Sequence, residues 1–242
     1  QVLMDCALHN AGVTFVLDRA GITGDDGPSH HGVLDMALCL AIPRMTVFAP
    51  SCAEEVPGML ATALSLTGPS AIRFPKTLPV PVDGQTGDGL QARVIKRGDG
   101  TLCVLAVGKM VATALRAIEL LGDDASRVTL YDVRVLPPDP AMIDDAVSHR
   151  RVMTVEDGTR HGGAGTLMVS AVRSRAQERG VAFPTTRIMG VPRAYLEQHK
   201  PDLLLAELGL DAAGLAGAMS RLLADEPEFP RAVPEAPSPR FE

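Results

Sequence analysis

Val13-Thr14-Phe15-Val16-Leu17-Asp18-Arg19-Ala20-Gly21-Ile22-Thr23-Gly24-Asp25-Asp26-Gly27-Pro28-Ser29-His30-His31-Gly32, running on into Val33-Leu34-Asp35-Met36-Ala37-Leu38-Cys39-Leu40-Ala41, changes character twice. Val13 to Leu17 is a β-branched and apolar run, which reads as a strand. Asp18 to Gly32 is rich in glycine and charge, which reads as a loop, and Val33 to Ala41 carries apolar residues at helical spacing. The same strand, loop and helix sequence recurs downstream. Met45 to Phe48 reads as a strand, Ser51 with Glu54 as a capping box opening a helix to about Leu66, and Ala71 to Phe74 as a third strand. Strands alternating with helices imply parallel crossovers, hence a doubly wound α/β sheet.

Between Pro75 and Gly100 the composition shifts to Pro, Gly, Asp and Thr with little periodicity, the signature of a connection. Strand patterns then resume at Leu102–Val107, Val128–Val133, Val152–Val155 and Thr185–Ile188. Helical patterns lie between them near Met110–Leu121, Ala141–His149 and Gly165–Arg179. The chain therefore reads as two α/β units with mostly parallel, doubly wound sheets: residues 1–76, a linker over 77–100, and a second unit over 101–225. Asp211 is placed to cap a last helix running to about Leu223. Residues 226–242, with repeated Pro, Glu and Arg, are expected to be a disordered tail. At the other end Val2, Leu3, Cys6, Ala7 and Leu8 form an apolar helical face that begins at Gln1 without a cap, as a helix entered part-way would.

With 242 residues, 46% of them hydrophobic, the chain can bury a core in each unit. Its net charge of −6, with basic residues scattered, offers no stripe for a nucleic-acid backbone. No run reads as a membrane span or a signal peptide. Cys6, Cys39, Cys52 and Cys103 show no CxxC pairing and sit among apolar neighbours, a pattern that suits a reducing cytoplasm.

Ligands of open parallel sheets sit outside the carboxyl ends of the strands, where Asp18–Gly32 lies. Arg19 offers bidentate cationic geometry for a phosphate or carboxylate, Asp25 and Asp26 are acids, and His30 and His31 can move protons near neutral pH. The same residues also read as an ordinary surface turn with the histidines capping the next helix. At the end of the third strand Arg73 and Lys76 flank Phe74 and Pro75. Lys76, past the strand end, is the better placed for a ligand phosphate, although a solvated lysine is the plainer reading. Glu156, Asp157, Gly158, Gly162, Gly163 and Gly165 lie between a strand and a helix and could cradle an anion. The acidic pair argues for a packing role instead.

The Asp18–Gly32 segment resembles the DRAG…DG-(P/Q/A)-(S/T)-H-x-G stretch of 1-deoxy-D-xylulose 5-phosphate synthases. Ile42-Pro43 through Ala49-Pro50-Ser51, Gly68-Pro69-Ser70-Ala71-Ile72-Arg73-Phe74-Pro75-Lys76, Val155-Glu156-Asp157, Gly162-Gly163-Ala164-Gly165 and Glu207-Leu208-Gly209-Leu210-Asp211 resemble family segments in the same order. The resemblance implies the later part of a pyrimidine-binding domain followed by a transketolase C-terminal domain. It implies an enzyme in which thiamine diphosphate attacks pyruvate, carbon dioxide leaves, and the remaining two-carbon unit adds to D-glyceraldehyde 3-phosphate, in a homodimer. By resemblance His30 is the proton-transferring histidine with Asp26 beside it, and Arg19 and Lys76 bind the acceptor phosphate. Many members have Arg where Lys76 stands. The family's catalytic glutamate and its diphosphate and magnesium ligands are expected upstream of Gln1, so no cofactor or metal ligand is assigned in this chain, and alone it is expected to be inactive. The other readings are a non-catalytic dimerisation module and a subunit of another thiamine-dependent ketoacid or transketolase system.

Overall fold

The structure, a computed structural model, describes residues 1–24, 27–78, 80–82 and 86–224. Asp25 and Asp26, and the segment read as a tail, lie outside the described residues. The elements follow in the order β1 (Thr14–Leu17), α1 (Asp35–Leu40), β2 (Thr46–Phe48), α2 (Glu55–Ser65), β3 (Ser70–Arg73), β4 (Arg93–Lys96), β5 (Leu102–Ala106), α3 (Met110–Glu119), β6 (Val128–Asp132), β7 (Val135–Leu136), α4 (Pro140–Ser148), β8 (Arg151–Thr159), α5 (Ala164–Arg179), β9 (Thr185–Val191), α6 (Pro201–Glu207) and α7 (Ala212–Leu223). Val2–Ala7 winds as a π-helix with Leu3 and Met4 exposed.

β1, β2, β3, β5, β6, β8 and β9 stand where β-branched and apolar runs predict strands, and with two further strands they form two sheets. The first has the order β1-β3-β2-β7 and the second β4-β6-β5-β8-β9. All pairs are parallel except β2 with β7 and β4 with β6. Both antiparallel strands come from unexpected places. β4 falls inside the segment read as a linker. β7 follows two residues after β6, yet joins the other sheet, with Phe48 opposite Val135 and Val47 opposite Leu136. The chain changes sheets at Arg134, whose φ of 60° supplies the sharp turn. The two units are thus bound by a shared sheet as well as a shared core. One apolar cluster joins Met36, Val47 and Ala71 to Cys103, Leu105 and Val133, and another joins Ile22 and Cys52 to α3 and α7.

Two expectations are corrected. Ser51 and Glu54 do not form a capping box: α2 begins at Glu55 without a side-chain cap, because the Ser51 hydroxyl donates to Asp132 Oδ2 at 2.6 Å instead. Residues 201–223 are long and apolar enough to cross a membrane by length and composition alone. They form two helices broken at Gly209, where φ is 67°, and α7 buries Leu215, Met219 and Leu222 as core. Asp211 caps α7 as its sequence predicts, accepting from the Gly214 amide at 2.8 Å.

Candidate active site

Adjacent parallel strands deliver adjacent loops. β1 and β3 pair with Leu17 opposite Arg73, so Asp18–Arg19 and Phe74–Lys76 leave the same sheet edge side by side. The Ala20 amide donates to the Phe74 carbonyl at 3.1 Å and ties the two exits together. The loop after β1 then closes on itself. Gly21 and Gly32 exchange amide–carbonyl hydrogen bonds of 3.0 and 2.8 Å, forming a neck. Arg19 stands just before that neck and His30 just before its far side. The loop thus brings Arg19, His30 and the root of Lys76 to one edge of the first sheet. All three side chains are exposed.

The two histidines differ. His31 is half-buried and its Nδ1 accepts from the Thr23 amide at 3.1 Å, bracing the loop internally. His30 has its Nδ1 2.9 Å from the Ser29 hydroxyl and faces solvent. Neither caps α1, whose first turn is braced by Asp35 Oδ1 accepting from the Met36 amide at 2.7 Å.

Arg73, which the sequence offers beside Lys76 as a second cation at the strand end, is not available to a ligand. It is 2% exposed. Nε donates to Asp35 Oδ2 at 2.7 Å, and Nη1 donates to Asp157 Oδ1 at 2.6 Å across the boundary between the two units. Full burial pushes the Asp157 carboxyl up, but the Arg73 and Lys109 charges outweigh it and hold the group below the usual carboxylate range. Burial wins at Asp35, which is raised despite Arg73. Nothing in single-sequence patterning marked this triad, since Asp35 and Asp157 lie 38 and 84 residues from Arg73.

The glycine-rich segment after β8 is equally committed to structure. The buried Glu156 carboxyl accepts from the Ala164 and Gly165 amides at 3.1 and 2.7 Å, so the N-terminus of α5 is already occupied by a side chain of its own. Burial pushes Glu156 up to about 7 against those amides. No group of His, Cys, Asp and Glu able to hold a metal exists among the described residues. The helix terminus that the sequence offered to an anion is thus taken by the chain's own Glu156.

Residues 1–80 match the model of the transketolase pyrimidine binding domain, and residues 91–215, more than half the chain, match that of the transketolase C-terminal domain. This chain belongs to the transketolase C-terminal domain family. Within it the similarity runs to named synthases. The 1-deoxy-D-xylulose-5-phosphate synthase of Mycobacteroides abscessus is 40% identical over 96% of this chain and 37% of its own length, and that of Thermobifida fusca is 38% identical over 94% and 36%. The chain thus spans little more than a third of the curated relatives it matches. Among solved structures, a split gene transketolase described as an inactive beta4 tetramer superposes with a TM-score of 0.80 at 23% identity, covering 92% of this chain and 71% of its own. The transketolase of Campylobacter jejuni gives 0.64 at 18%, covering 86% and 31%. These transketolase structures share the two-unit fold.

Proposed function

We propose that this chain provides the acceptor-binding edge of a thiamine-diphosphate-dependent 1-deoxy-D-xylulose-5-phosphate synthase, which joins pyruvate to D-glyceraldehyde 3-phosphate with loss of carbon dioxide. The observation that carries the reading is that two hydrogen-bonded strand exits bring Arg19 and Lys76 side by side, with His30 two residues before the closed neck of the same loop, on a chain 40% identical to a protein of that name. Arg19 and Lys76 would bind the phosphate of the triose, one as a fork and one as a point charge. His30, exposed at the loop's far side, would pass a proton to or from the reacting oxygen. Asp26 is assigned beside it on the resemblance alone. On that reading, the cofactor and magnesium would be held by residues other than those assigned here.

A reducing, cytoplasmic setting is supported by four free cysteines. A second copy or a further polypeptide against the first unit is supported by the exposed Leu3, Met4, Leu8, Val16, Leu34 and Leu38.

The test is a protein joining the upstream portion of the Mycobacteroides abscessus synthase to this chain, assayed with pyruvate, D-glyceraldehyde 3-phosphate, thiamine diphosphate and magnesium. Release of carbon dioxide coupled to 1-deoxy-D-xylulose 5-phosphate, identified by mass, is the expected result. A folded, cofactor-binding hybrid that makes no such product would overturn the reading. Turnover only with another acyl donor would assign the chain to a different thiamine-dependent system.

A further inference from the structure

The loop bearing Arg19 and His30 belongs to the first unit by sequence, but its walls belong to the second. Ile22, 2% exposed, packs in the apolar cluster that includes Val155, Val191, Leu204 and Leu210. The Thr159 amide at the end of β8 donates to the Val33 carbonyl at 2.7 Å, just past the loop's neck. Gly21, at φ 74°, lies so near the Asp157 carboxylate that a Cβ there would overlap Oδ2. The other oxygen of that carboxylate takes Arg73 Nη1, and Arg73 sits at the end of β3 beside the Phe74 carbonyl that receives the Ala20 amide. One buried side chain therefore lies against the loop's neck and pairs with the residue that ends β3. Lys109 Nζ, 3.8 Å from Oδ2, is a further charge beside it.

We propose that Asp157 is a positioning residue, which fixes the neck of the Asp18–Gly32 loop through Gly21 and the adjoining strand exit through Arg73, and so sets where Arg19 stands relative to Lys76. Its consequence for catalysis rests on the function proposed above; its consequence for the loop does not. A structural ion pair that merely held the two units together would report on the whole fold. A positioning contact reports first on the neck.

The test reads both in Asp157→Asn, which keeps the shape and removes the charge. In the 242-residue chain the Gly21 and Gly32 amides are expected to exchange with solvent about tenfold faster, while the amides of the central strand β5 keep their rates. In the hybrid synthase the KM for the triose phosphate is expected to rise about tenfold, with the KM for pyruvate unchanged. Asp144→Asn, which removes ion pairs to Arg175 and Arg179 on the surface, should change neither. Unchanged exchange at the neck, or a uniform acceleration that includes β5, overturns the positioning role whatever the activity. Faster exchange at the neck with an unchanged KM keeps the positioning role and overturns the assignment of Arg19 to the substrate. Should Asp157→Asn not fold, Gly21→Ala presses the neck away from an intact Asp157–Arg73 pair, and the Gly32 amide and the same KM separate the same outcomes.

Discussion

Arg134 Nε donates to Glu55 Oε1 at 2.9 Å, joining the residue at which the chain changes sheets to the first turn of α2, with both side chains at or below 2% exposure. The same guanidinium donates through Nη1 to the Gln91 carbonyl at 2.5 Å, and Glu55 Oε1 also accepts from the Gly87 amide at 2.9 Å. The pair therefore fastens the connection between the units onto both of them. Glu55→Ala leaves a buried guanidinium without its counter-charge and is expected to cost about 3–5 kcal/mol. Urea unfolding measures this. A loss below about 1 kcal/mol would mean that the pair is solvated and behaves as a surface bridge.

Stability is expected to fall as pH rises from weakly acid to neutral. Burial, then the Glu55 charge, pushes Asp132 up to about 7 from 3.8, against its hydrogen bonds from Ser51 and Arg93, and burial pushes Glu156 up to about 7 from 4.5. Between the unfolded values and about 7 the folded protein holds protons that the unfolded chain has released. Its advantage therefore shrinks across that window as pH increases. Asp157, held low, acts the other way: its contribution is complete above the ordinary carboxylate range and fades only in stronger acid. Urea midpoints at about pH 5 and pH 8 should show the higher value at pH 5, and Asp132→Asn should flatten the difference. A curve already flat in the unaltered chain would mean that both groups ionise at ordinary values.

The residues that carried the fold in the sequence were those whose neighbours are local. Thr14–Leu17 and Thr46–Phe48 are short runs of β-branched and apolar residues and Ser70–Arg73 a short run around Ala71 and Ile72, and each pattern is complete within its run. β7 is two residues long, too short for any period, and exists because Phe48 and Val47 offer it an edge. Ser51 carried a local cap signal that a distant partner overrode, since Asp132 is 81 residues away and buried. The site divides in the same way. Arg19 and Lys76 are legible as strand-exit residues, and His30 as a residue of the loop that follows the first strand. Arg73 read as a possible ligand because its carboxylate partners, on α1 and β8, meet only in the folded chain.

Lys76→Arg is expected to strengthen binding of the triose phosphate. Lys76 is exposed past the end of β3, and a guanidinium in its place would offer phosphate oxygens two parallel bonds rather than one point contact. The KM for D-glyceraldehyde 3-phosphate in the hybrid synthase should fall roughly threefold to tenfold, with stability changed by less than about 0.5 kcal/mol. An unchanged KM would remove Lys76 from the phosphate site.

His30 and His31 are adjacent yet should fail differently when replaced. His31 Nδ1 is the acceptor for the Thr23 amide, so His31→Ala leaves that donor unpaired inside a half-buried loop and is expected to cost about 1–3 kcal/mol, seen as a lower melting temperature. Its effect on turnover follows only from loosening the loop and should be small at temperatures where the protein is folded. His30 is held by its neighbour Ser29 at the loop's surface, so His30→Ala should leave the melting temperature unchanged. Loss of its proton transfer should lower kcat by about 10²–10³. The two variants of the hybrid synthase, compared by thermal unfolding and by turnover at saturating substrates, separate these roles. Equal losses of turnover would show that the chemistry depends on the loop's shape and that His30 is not the residue moving the proton.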